Sequence, residues 1–140
     1  MRKLVILIIV IVATILASLP LHLQGWTGAY NPWSGLIWCS DHNSCIHEVG
    51  HKLDDSAGWV SRKGDFEINV HQFVVTEITN GKPGELAIML ATYPIESNRI
   101  EVYADIFLYS DGNEMNMPLE FRQFYDWELA KTLLKKYKTK

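Results

Sequence analysis

His47 and His51 stand four residues apart with Glu48 directly after the first, inside the stretch CSDHNSCIHEVGHKLDD that runs from Cys39 to Asp55. On a helix, residues four apart lie one turn above each other, so the two imidazoles can each offer a nitrogen to a single ion. Glu48 is turned around the helix from both. A carboxylate there reaches a water beside the ion rather than the ion itself, which is where a general base for hydrolysis belongs. The same pattern also arises on the polar face of an ordinary helix. With five histidines in the chain, a chance match is expected in about one sequence in a hundred, so partners elsewhere must carry part of the argument.

A catalytic zinc needs a third protein ligand and an open position. The downstream candidates are Asp54, Asp55, Glu67, His71, Glu77, Glu96, Glu101 and Asp105. Glu101 and Asp105 are four apart in NRIEVYADIF, whose pattern predicts a helix, and they share a face. Glu101 is then suited to bind the ion, and Asp105 to accept the far N–H of a ligand histidine and fix its tautomer. Asp54, three after His51, falls near the ion or at a helix end. His71 reads as a surface or core histidine.

These residues must be held by elements that the sequence marks out. SGLIWCS is apolar between turn residues and predicts one short strand, either internally paired or open to an extended peptide. Asn43 or Ser44 caps a helix through CIHEVGHKLDDSA that stops at Gly58. DFEINVHQFVVTEI carries Phe66, Val70, Phe73 and Val74 at helical spacing. NGKPG is a turn, and ELAIMLATY a short buried helix or apolar segment. Ser97 caps the helix that carries Glu101, and Pro118 opens a last helix, LEFRQFYDWELAKTLLKKY. The expected class is mainly α, or α+β with at most a short strand or two. Cys39 and Cys45, six apart, are candidates for a disulfide that fixes the loop before the histidine helix.

Residues 4–19, LVILIIVIVATILASL, carry no charge and follow Arg2 and Lys3. Counting on to Leu23 gives about 20 residues, enough to span a bilayer. Residues 1–24 are therefore expected to be a membrane anchor or signal segment and residues 25–140 the working domain. The basic flank orients that domain away from the cytoplasm, and cleavage of the segment makes it secreted. Trp26, Tyr30 and Trp33 are assigned either to the membrane interface or to the core. Beyond the anchor 11 basic residues face 16 acidic ones, a net charge of −5. That balance gives no sign of a nucleic-acid partner, and the basic C-terminal KTLLKKYKTK reads as a helix end whose cations complement the dipole.

Three blocks, HEVGHKLDDSAGW, TYPIESNRIEVYADIF and MPLEFRQFYDW, occur in an order that resembles the catalytic domain of anthrax lethal factor and the related Pro-Pro endopeptidases. These are gluzincins, compact zinc metalloproteases whose third ligand is a glutamate on a second helix. The resemblance covers residues 44–130 and implies a zincin-like fold. It implies His47, His51 and Glu101 as zinc ligands, Glu48 as general base and Asp105 as the acid orienting a ligand histidine. It also implies that Tyr93, eight positions before Glu101, faces the oxyanion. The expected function is zinc-dependent hydrolysis of peptide bonds in a peptide or protein substrate. The alternative is a membrane-tethered, catalytically inactive zincin-like binding module.

Overall fold

A computed structural model of the chain describes residues 27–93 and 95–137, without the side chains of Glu96 and Ser97. The described residues are mainly helical with one two-stranded sheet. The expected membrane-anchored, extracytoplasmic protein has to be corrected here. Among the described residues no helix is long and apolar enough to cross a membrane, and residues 4–23, on which that expectation fell, lie outside them. The cap expected at Ser97 and the ligand candidate Glu96 also fall on side chains outside the description.

The chain enters through a hairpin of β1 (Gly28–Asn31) and β2 (Leu36–Cys39), paired antiparallel with Gly28 opposite Cys39. Its turn is built locally. The Asn31 side chain accepts the backbone N–H groups of Trp33 and Ser34 at 2.9 and 3.2 Å, and Gly35 takes φ +66°, a conformation glycine adopts without strain. Only β2 was expected. β1 holds Tyr30, and Trp33 lies in the turn at 97% exposure, so neither aromatic belongs to the core.

Helix α1 (His42–Ser56) carries the histidine motif. Its N-cap is Asp41, not Asn43 or Ser44. The Asp41 carboxylate accepts the Ser44 N–H at 2.9 Å while the Ser44 hydroxyl accepts the Asp41 N–H at 3.2 Å, a reciprocal box that makes Ser44 the third helical residue. Cys45, in the first turn, is bridged to Cys39 at the end of β2. Gly58, at φ +74°, follows the helix end.

Three further helices follow α1: α2 (Gly64–Thr79) and α3 (Glu85–Thr92), which pack on each other, and α4 (Ile95–Tyr109), which packs along α1. α4 is kinked at Asn98, whose φ of −130° and ψ of 28° are not helical. The core joins Ile46, Val49 and Leu53 of α1 to Val102, Tyr103, Ile106 and Phe107 of α4, with Phe66 and Val70 of α2 beside them. Burying each such side chain contributes about 1.5–3 kcal/mol.

The expected final helix is two helices, α5 (Leu119–Arg122) and α6 (Trp127–Tyr137). The break is made by tertiary contacts. The Tyr125 hydroxyl donates to the Tyr103 carbonyl at 2.8 Å, the Tyr103 hydroxyl donates to the Phe124 carbonyl at 2.7 Å, and the two rings lie 4.3 Å apart. Trp127 Nε1 donates back to the Arg122 carbonyl at 3.0 Å. Asp126 then restarts the helix by accepting the Leu129 N–H at 3.0 Å.

α1 and α4 cross at Gly50 and Ala104. A Cβ on Gly50 would sit 2.8 Å from the Ala104 Cα, a backbone atom that cannot move aside cheaply. Gly64, at the start of α2, has nothing within 4 Å of an added Cβ and a negative φ. The same substitution should therefore have opposite signs at the two sites. Gly50→Ala should destabilise by about 1–3 kcal/mol through overpacking, despite the gain in helix propensity. Gly64→Ala should stabilise by about 0.4–1 kcal/mol. Urea denaturation checks both, and equal effects would contradict the close crossing.

Candidate metal centre

The crossing at Gly50 brings one face of α1 against one face of α4. His47 and His51 stand one turn apart, edge to face, with ring centroids 4.6 Å from each other. Glu101 projects from α4 toward both. His47 Nε2 and His51 Nε2 are 3.0 Å apart, Glu101 Oε2 is 3.2 Å from His47 Nε2, and Glu101 Oε1 is 3.5 Å from His51 Nε2. These three residues form the metal-capable cluster among the described residues.

The spacing fits an ion. Bonds of about 2.0–2.1 Å at tetrahedral angles put ligand atoms about 3.3 Å apart. Two ring nitrogens and a carboxylate oxygen this close repel one another unless a proton or a metal ion lies among them. Two imidazoles and one carboxylate are also a donor set that catalytic zinc uses. On the far side of His47, Nδ1 lies 3.0 Å from Asp105 Oδ1, one helical turn beyond Glu101. That contact fixes the ring and directs Nε2 toward the cluster.

Charge follows from the same contacts. Burial opposes a proton on His47, yet hydrogen bonds to Asp105 and Glu101 outweigh it and push the pKa up to about 9. Bonds from His47 and then His51 hold the Glu101 carboxyl well below the usual carboxylate range. Glu48, 7% exposed, has its pKa raised by burial against the opposing charges of His51 and His47. Tyr93, at the end of α3, is raised by burial and then by the charges of Asp105 and Glu101. It therefore keeps its proton and lies within electrostatic range of Asp105 and Glu101.

The other candidates have different partners. Asp54 is fully buried and accepts both the Ser61 N–H, at 2.8 Å, and the Ser61 hydroxyl. It anchors the turn after α1 instead of supporting a histidine, and His51 Nδ1 is buried without a hydrogen-bond partner. Glu67 pairs with Arg99 and lies 3.9 Å from His71, and Glu77 accepts the Gly84 N–H at 3.3 Å. Asp55 accepts the Tyr30 hydroxyl.

Sequence reasoning missed the hairpin side of the site. Thr27, Gly28, Asp41 and Ser44 line a cleft of about 370 Å³ with His47 and Glu48. A Cβ on Gly28 would lie 2.8 Å from Glu48 Cγ, so β1 passes directly over the carboxylate because Gly28 has no side chain. The signal available was a stripe: Cys45, Glu48, Lys52 and Asp55 recur every three or four residues along one face of α1. No family model, curated protein or solved structure matches the chain.

The raised pKa of His47 sets a sign for metal uptake. In the metal-free protein its paired charge stabilises the fold fully below pH 6.5 and is lost as pH rises through about 9. Metal uptake must displace that proton. Affinity for Zn²⁺ should therefore climb by up to about tenfold per pH unit from 6.5 to 9 and level off above. Competition against a chromophoric chelator of known protonation measures this, and a flat profile would contradict His47 as a ligand.

Proposed function

We propose that this protein is a zinc-dependent endopeptidase of gluzincin type, with a zincin-like domain in which His47, His51 and Glu101 hold the ion. One observation carries the reading: three ligand atoms from two helices converge at single-ion spacing while Glu48 lies beside them, outside the cluster. A purely structural zinc site is closed by a fourth ligand and has no use for a base. The resemblance of residues 44–130 to the lethal factor and Pro-Pro endopeptidase catalytic domains supports the same assignment and adds Tyr93.

The bound ion supplies Lewis acidity, acidifying a water and polarising a carbonyl. Glu48 takes the proton of the attacking water on its carboxylate and later delivers it to the leaving amine. Its burial suits both steps, because the raised pKa increases its proton affinity. Tyr93, still protonated, donates its hydroxyl hydrogen as negative charge develops on the carbonyl oxygen. Asp105 holds the Nδ1 proton of His47 throughout.

The substrate edge is β1 rather than the expected β2. The Ser40 N–H bonds the Thr27 carbonyl at 2.8 Å, and the antiparallel alternation from that pair leaves the backbone groups of Gly28 and Tyr30 directed away from β2. The Tyr30 N–H accordingly faces Glu48. An extended peptide pairing with this outer edge would bring its carbonyl over the base.

Glu48→Gln separates the readings. It keeps size and most hydrogen bonding but cannot accept the proton. Zinc content should stay near one per chain while peptide cleavage falls by about 10² to 10⁴-fold. A catalytically inactive binding module forecasts no cleavage by either form. Equal cleavage by wild type and Glu48→Gln would contradict the proposed base.

A further inference from the structure

The stripe on α1 that faces the hairpin is not used by the metal. Cys45 is bridged to Cys39, Glu48 lies under Gly28, Lys52 Nζ donates to the Gly35 carbonyl in the hairpin turn, and Asp55 accepts the Tyr30 hydroxyl. One face of a single helix thus grips the hairpin at both ends. The disulfide fixes the end nearest the start of α1, and the Lys52 and Asp55 contacts fix the far end.

We propose that Asp55 and Lys52 are positioning residues: through Tyr30 and Gly35 they set the register of the β1 edge over Glu48, and so determine how an extended peptide is docked for cleavage. The inference rests on the endopeptidase reading for its substrate and on the hairpin geometry for its mechanism. A two-stranded hairpin is marginal by itself, and β1 offers only four residues to its partner. Its placement must come from outside the sheet. The Tyr30 ring supplies the reach, because its backbone sits at Glu48 while its hydroxyl ends at Asp55, seven positions further along α1. Burial and the Asp55 carboxylate both keep that hydroxyl protonated, so it remains a donor. The metal ligands His47 and His51 project from another face of α1, which makes docking and metal binding separable.

The test compares zinc-loaded wild type with Tyr30→Phe, Asp55→Ala, Asp55→Asn and Lys52→Met. In the first arm, hydrogen exchange is followed at the Ala29 and Trp38 amides, which lie in the paired register. Tyr30→Phe and Asp55→Ala should speed exchange there by about tenfold or more, the effect of losing a hydrogen bond to a charged group. Asp55→Asn, which keeps an acceptor, should recover most of the protection. In the second arm, a peptide of about eight residues that the wild type cleaves should show KM raised about tenfold in Tyr30→Phe with kcat within about threefold, since docking weakens while the base is untouched. Zinc affinity should be unchanged in all four variants. Unaltered exchange and KM in Tyr30→Phe would overturn the proposal, and so would a fall in zinc affinity parallel to the rise in KM. A wild type that cuts no peptide removes the protease reading instead, and the exchange arm then decides the clamp by itself.

Discussion

The distance between α1 and α4 is the constraint on which the rest depends. Packed helices are ordinarily separated by about 8–10 Å, set by the side chains at the contact. Here the contact is between a hydrogen atom on Gly50 and the Cα of Ala104, and the adjacent residues on both helices are those of the site. His51 follows Gly50, while Glu101 and Asp105 flank Ala104 within one turn. Glutamate and histidine side chains are long enough to meet across any helix pair. Meeting at 3.0–3.5 Å in a group of three requires the backbones to be fixed closely, and a methyl group at position 50, 2.8 Å from the Ala104 Cα, would push them apart. Glycine in a helix costs about 1 kcal/mol relative to alanine. The helix pair offsets this with a shared apolar core of Ile46, Val49 and Leu53 against Val102, Ile106 and Phe107.

α1 serves three surfaces at once. Ile46, Val49 and Leu53 face the core, His47 and His51 face α4, and Cys45, Glu48, Lys52 and Asp55 face the hairpin. Glu48 belongs to the third set, and for that reason it stands beside the cluster rather than within it. The angle between the histidine face and the hairpin face lets one helix present both the candidate ligands and the proposed base. The disulfide closes only a short loop, worth about 2 kcal/mol in a chain-entropy account, so its effect is local: it ties the end of β2 to the first turn that precedes the motif.

The central residues were legible in the sequence because helical periodicity is local. His47 and His51 share a face by spacing alone, and the same rule singled out Glu101 and Asp105 from eight candidates. What was not legible depended on partners far along the chain. Asp54 was placed either near the ion or at a helix end, and the choice is made by Ser61, beyond the turn, which claims both its oxygens. β1 was missed because GAYN has no alternating pattern and exists as a strand only against β2. The break in the last helix comes from Tyr125 bonding to Tyr103, 22 residues away, which overrides a helical pattern that local propensity supports. The apolar run at residues 4–19 led to a membrane assignment that no helix among the described residues carries.

The central claim is that two helices fix one ion with a free carboxylate beside it, and locating the ion tests this most directly. Crystals of the zinc-loaded protein, with diffraction recorded on either side of the zinc absorption edge, give its position without reference to any assay. The account predicts one strong anomalous peak within about 2.0–2.2 Å of His47 Nε2, His51 Nε2 and a carboxylate oxygen of Glu101, with the Glu48 carboxylate outside bonding distance. A peak elsewhere, or one that takes Glu48 as a ligand, would contradict it.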